Sequence, residues 1–154
     1  MKGDDMRAGS QFTVAIHALM LVSFFDQDKI TSKKVAMSIG CNPVIVRNVF
    51  VKLGNAGLLR PGMGRARTKM MRLPEEITLE DVYHAVESDD VDEMFGMYPV
   101  NPHCPIGSEL HEILDTSLSD ARDSMLNSLS RTTIADLISR LSPEKNKVPV
   151  WMRD

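Results

Sequence analysis

The 154-residue chain has no apolar run long enough to span a bilayer, and no secretory leader is read at its start. These absences predict a cytoplasmic protein with no membrane partner. It has two cysteines, Cys41 and Cys104. Two are too few for a disulfide framework, so reduced thiols are expected. Aromatic residues are scarce, and the 11 methionines favour adaptable packing over a dedicated site. No repeat and no low-complexity segment is present. The most telling absence is local. Between Lys29 and Arg72 there is no Asp or Glu, while ten Lys and Arg occur there. From Glu75 onward, six basic residues face seventeen acidic ones. The net charge of −3 conceals this division. An all-basic segment suits a phosphate backbone, whose neutralisation supplies most non-specific affinity for DNA.

Within the basic segment lies TSKKVAMSIGCNPVIVRNVFVKLGNAGLL, residues 31–59. It predicts two short helices joined by a tight turn. The first spans 32–38 with Thr31 as N-cap, and Gly40 takes the left-handed conformation that ends it. Asn42 caps the second, with Pro43 in its first turn, where a missing N–H costs nothing. Val46, Val49, Phe50, Leu53 and Ala56 recur at helical spacing and form one apolar stripe. Gly57 stops the helix. Arg47, Asn48, Lys52 and Asn55 face outward. A helix that buries one side and presents Arg and Asn on the other, after a Gly-containing turn, is the sequence form of a helix-turn-helix. The plainer alternative is an αα-hairpin that binds nothing; the acid-free charge decides for DNA.

Pro61, Gly62 and Gly64 then break helix. A strand from about Leu58 and a return strand over 65–73 make a hairpin wing, whose tip carries Arg65 and Arg67. Arginine on such a tip suits the negative potential of a minor groove.

The flanking segments complete the expected architecture, mainly α with a small β-hairpin wing. Residues 1–10 are expected to be disordered, and 11–25 to form a buried helix, partly covered by a second subunit, with His17 as a hydrogen-bonded core or interface residue. DQDK makes a turn. Residues 74–86 read as a helix with a cap at Thr78, and His84 on its polar side as solvated. SDDVDEMFGM reads as a solvated acidic segment without calcium-loop spacing. YPVNPHCPIG is a loop. A long helix over 108–130, capped by Ser108, presents Leu110, Ile113, Leu114, Ser117, Leu118, Ala121, Met125 and Leu129 as a seam suited to pairing with its own copy. Thr132 caps a last helix over 133–141. A tail over 142–154 follows, where Trp151 is expected to dock on the body or a partner. The domains are then 11–73 for the winged helix-turn-helix, 74–107 for a connecting helix and loop, and 108–141 for the long and terminal helices.

The segments VAIHALMLVS, CNPVIVRNVFVKLGNAGLL, LPEEITLEDVYHAVE and NPHCPIGSELHEIL, in this order across residues 12–141, resemble the Rrf2 family of bacterial winged-helix transcriptional regulators. The resemblance implies a homodimer that binds a pseudo-palindromic operator in double-stranded DNA through a long dimerisation helix and two winged domains, in the sense of a repressor. By this likeness Asn42, Pro43, Val44, Arg47 and Asn48 read bases, and Ser32 and Lys33 join the DNA-facing set. Arg65 and Arg67 match the family's minor-groove arm loosely, since this wing is shorter and lacks the glycine-tyrosine run. Cluster-holding members carry three close cysteines before the long helix. Here that loop has Cys104 alone, beside His103 and His111, so the chain resembles the cluster-free subgroup, and neither a metal nor another cofactor is expected. Cys104 and Cys41 are the candidate redox sensors, and a small-molecule effector is the other possible input. Two further classes compete with this reading: a winged-helix module that binds protein or effector without sequence-specific DNA binding, and a thiol enzyme built on Cys104 with His103 or His111. The second lacks an oxyanion site and an orienting third group, so no enzyme is expected.

Overall fold

The computed structural model describes residues 10–25 and 29–142. The expected disordered start, most of the DQDK turn, and Trp151 with all but the first residue of the tail lie outside them. The chain folds as α1 (Ser10–Phe24), α2 (Ser32–Ile39), α3 (Pro43–Asn55), β1 (Leu59–Arg60), β2 (Lys69–Met70), α4 (Leu79–Val86), α5 (Val91–Phe95), α6 (Leu110–Leu129) and α7 (Ile134–Ser139). This is the expected class, helical with one two-stranded antiparallel sheet.

The helix pair forms where its caps predict. The Thr31 hydroxyl accepts the Lys34 N–H at 3.2 Å, and Gly40 ends α2 at φ 80°. The Asn42 side chain accepts the Val44 N–H at 2.9 Å, and Pro43 is the first residue of α3. Val46, Val49, Phe50 and Leu53 of α3 are buried. They meet Val35 and Ala36 of α2, and Val14, Ala15, Ala18, Leu19 and Val22 of α1, in one core. Ala56 departs from the expected stripe; it is the exposed C-cap of α3.

The wing strands are shorter than expected. Leu59 pairs with Met70 and Arg60 with Lys69. Two residues per strand suffice because Leu58 and Leu59 are buried beneath them and the Met71 N–H adds a bond to the Leu58 carbonyl at 3.0 Å.

The second half corrects four boundaries. α4 starts at Leu79, not at Pro74, because the Thr78–Asp81 capping box fixes the start at 3.1 and 3.0 Å. The acidic segment is not wholly irregular: Asp90 caps the short α5, which ends at Gly96 with φ 65°. α6 starts at Leu110, and Ser108 is not its cap; the Ser108 hydroxyl donates to the Pro105 carbonyl at 3.1 Å. α7 is capped by Thr133, not Thr132. Thr133 forms a second capping box with Asp136, while the Thr132 carbonyl takes the Leu79 N–H at 2.9 Å. That bond, with Ile134 N–H to the Ile77 carbonyl at 2.9 Å, laces the start of α7 to the start of α4. α7 thereby returns to pack on α1, and α6 packs on α4 and α5. Among the residues of α6 only Leu126 is buried. His84, expected to be merely solvated, lies 3.7 Å from Glu80 and 3.6 Å from Asp89.

Candidate nucleic-acid interface

α3 is anchored by its apolar side, so its other side is set outward. Asn42, Val44, Arg47 and Asn48 are exposed and Pro43 is half-buried. Val44 is 48 % exposed at the second position of the helix. On α2, Lys33 is exposed and Ser32 half-buried. The residues expected at the start of the second helix therefore do lie together at one end of it.

The wing is a built loop. The Gly62 N–H donates to the hydroxyl of Thr68, a buried polar residue. A side chain at Gly62 would meet the Ala66 carbonyl oxygen at 2.3 Å, so only glycine fits this approach. The Ala66 N–H bonds the Met63 carbonyl at 2.9 Å, and Gly64 between them has φ 58°. Arg65 and Arg67 are exposed around this tip.

The ten basic residues do not act alike. The Lys29 ammonium donates to the Gly64 carbonyl at 2.6 Å, joining the segment before α2 to the wing tip. Lys52 donates to the Gln11 side chain at 2.7 Å and to the Val86 carbonyl at 3.3 Å, tying α3 to α1 and α4. Arg72 bonds the Glu76 carbonyl at 2.6 Å and faces Asp81 at 3.6 Å. Lys33, Arg47, Arg60, Arg65, Arg67 and Lys69 remain exposed on the helix pair and wing. Charge counting put all ten toward phosphate. It missed Lys29 as a strut of the wing, and nothing local in the sequence marks that long-range bond.

His17 is hydrogen-bonded, as expected: its Nε2 lies 2.9 Å from the Ser38 hydroxyl on α2. Burial pushes its pKa down, which favours the neutral ring. It also lines an open apolar groove of about 400 Å³ along α1, with Met20, Leu21, Phe24, Phe25 and Leu141. Cys41 is half-buried, and burial pushes its thiol pKa up, away from the reactive thiolate. Cys104 is half-buried in the loop before α6, and its sulfur accepts the Gly107 N–H at 3.4 Å. Because α6 begins at Leu110, Cys104 lies ahead of its first turn, where the helix dipole acts.

A basic helix pair followed by a closed hairpin is the apparatus of a winged helix-turn-helix regulator. The family model of Rrf2, described as iron-dependent transcriptional regulator, matches residues 8–140. A Bacillus subtilis (strain 168) protein, YwnA, whose name is that of an HTH-type transcriptional regulator, is 32% identical over 133 residues, 86% of this chain and 97% of that protein. The structure of CymR, the global cysteine regulator of B. subtilis, superposes with a TM-score of 0.62 at 15% identity over 89% of this chain and 99% of that one. T. potens IscR does so with 0.64 at 14% identity over 97% of both chains. The chain belongs to the Rrf2 family, and it is a DNA-binding transcriptional regulator rather than an enzyme.

The family description raises iron. A cluster takes several thiolates, and the loop before α6 offers Cys104 alone. His111, in the first turn of α6, is engaged with the Tyr98 carbonyl at 2.9 Å. Among the described residues no group of three or more His, Cys, Asp or Glu side chains is arranged to hold a metal ion. This residue set does not fit an iron–sulfur cluster. No helix among the described residues is long and apolar enough to cross a membrane.

Proposed function

We propose that the protein is a cytoplasmic repressor that binds a pseudo-palindromic operator as a homodimer. The winged helix-turn-helix over 11–73 is the DNA-binding domain, 74–107 connects, and 108–141 pairs the subunits. α3 enters the major groove. Asn42, Pro43, Val44, Arg47 and Asn48 meet base edges, with Arg47 suited to guanine and Asn48 to adenine. Ser32 and Lys33 hold the backbone, and Arg65 and Arg67 reach the minor groove. The observation that carries this reading is the outward side of α3, polar and cationic, set beside a wing within a segment that has no acid. The outward apolar seam of α6 supports the dimer, whose second copy also covers part of α1. A small-molecule or redox effector sets the affinity, with Cys104 the better placed thiol and Cys41 the second.

The test is binding of the purified chain to genomic fragments, its own promoter included, at two salt concentrations. Saturable binding to one short inverted repeat, weakening steeply with salt, is expected. Equal retention of every fragment, or none, would count against sequence-specific regulation. Repeating the titration with a mild oxidant on wild type and on Cys104→Ser reads the sensing role; a loss on oxidation that survives in Cys104→Ser would exclude that thiol.

A further inference from the structure

The DNA-binding reading gives no role to Met63 of the wing. Met63 is 84% exposed, the most of any large hydrophobic residue among those described. It stands on a stiff base. Its carbonyl closes the turn to Ala66, the adjacent Gly62 is pinned by Thr68, and Gly64 on its other side is held by Lys29. Around it, Arg60, Arg67 and Lys69 share with Met63, Pro61 and Ala66 the lining of one hollow of about 550 Å³. An apolar point ringed by three cations is poorly matched to an apolar protein surface, which would strip water from the cations without pairing them. It is well matched to a polyanion with an apolar interior, which is stacked DNA.

We propose that Met63 is a wedge. It enters a base step from the minor groove beside Arg67 while Arg60 and Lys69 take the flanking phosphates, and the duplex kinks beneath the wing. Apolar side chains used this way unstack the step and bend DNA by roughly 20–90°. Pyrimidine–purine steps unstack at least cost, so the operator carries TA or CA/TG under the wing. This rests on the DNA-binding reading and adds a deformation to it.

The experiment uses the full chain and a duplex that the wild type selects from a random pool. End-to-end energy transfer measures the bend and a titration measures affinity, for wild type, Met63→Leu, Met63→Ala and Met63→Gln. Wild type and Met63→Leu are expected to bend the duplex. Met63→Ala and Met63→Gln are expected to lose most of the bend and several-fold in affinity, with the salt slope unchanged because no charge is removed. Arg67→Ala, by contrast, lowers that slope by about one. Unbent DNA in the wild-type complex, or a bend that survives both polar and small replacements, overturns the wedge and leaves DNA binding standing. A wild type that selects no duplex overturns both. A change of solution mass in Met63→Gln with the bend intact assigns Met63 to a contact between copies and overturns the wedge.

Discussion

At the scale of the residue, the interface separates side chains that hold the protein from side chains offered outward. Lys52 and Arg72 belong to the first group and Arg47 to the second. Replacing Arg47 by Ala should therefore weaken operator binding by about 1–3 kcal/mol and relax the sequence preference at one position, without lowering the melting temperature. Competition titration against single-base operator variants reads both effects, and a uniform loss across all variants would reassign Arg47 to phosphate. His17 carries a different prediction. Its folded pKa lies below the ordinary 6.5 because burial disfavours the imidazolium. Above pH 6.5 both states are neutral and the full stability is present. As pH falls below 6.5 the unfolded chain takes the proton first, so stability declines until the folded ring also titrates. Melting curves from pH 7.5 to 5 should fall along that limb, and His17→Gln should flatten part of it; parallel curves would mean that His17 does not carry the loss.

At the scale of the element, the wing is the part whose position depends on distant residues. Lys29 lies 35 positions before Gly64, yet holds its carbonyl. Lys29→Met keeps the length and removes the bond. It should erase minor-groove protection by Arg65 and Arg67 in a hydroxyl-radical footprint while leaving the α3 contacts in place, and Lys29→Arg should restore it. A phosphate-contacting Lys29 would instead weaken binding with the footprint intact. The same contrast between local and distant causes explains what the sequence made legible. Thr31, Gly40, Asn42 and Pro43 are signals complete within a few residues, and the helix pair formed where they lie. The Thr133-x-x-Asp136 box was equally local, but the adjacent Thr132 competes as a cap until its carbonyl is seen bonded to Leu79. α5 has five residues, too few for a periodicity to show. The wing's extent rests on Thr68 burial and on the Lys29 bond, neither of which has a sequence signature.

At the scale of the whole molecule, α6 is the element the body does not explain. It runs 20 residues, so it spans about 30 Å. It packs chiefly on α4 and α5, and Ile113 is 64% exposed on its seam. An isolated helix with so little of its apolar side covered gains little from tertiary packing, which is what stabilises most helices. In the proposed homodimer a second copy supplies that packing and sets two α3 helices a fixed distance apart, which an inverted repeat then mirrors. Ile113→Asp places a charge in this seam. Because Ile113 is exposed in the single chain, its own fold should keep its melting behaviour at high dilution. Sedimentation should show the mass halved at micromolar concentration. Operator affinity should fall far more than the loss of one contact permits, since each chain then binds a half-site alone and forfeits the second as an intramolecular event. A variant that stays dimeric would move the subunit contact off this part of α6, and with it the expected spacing of the half-sites.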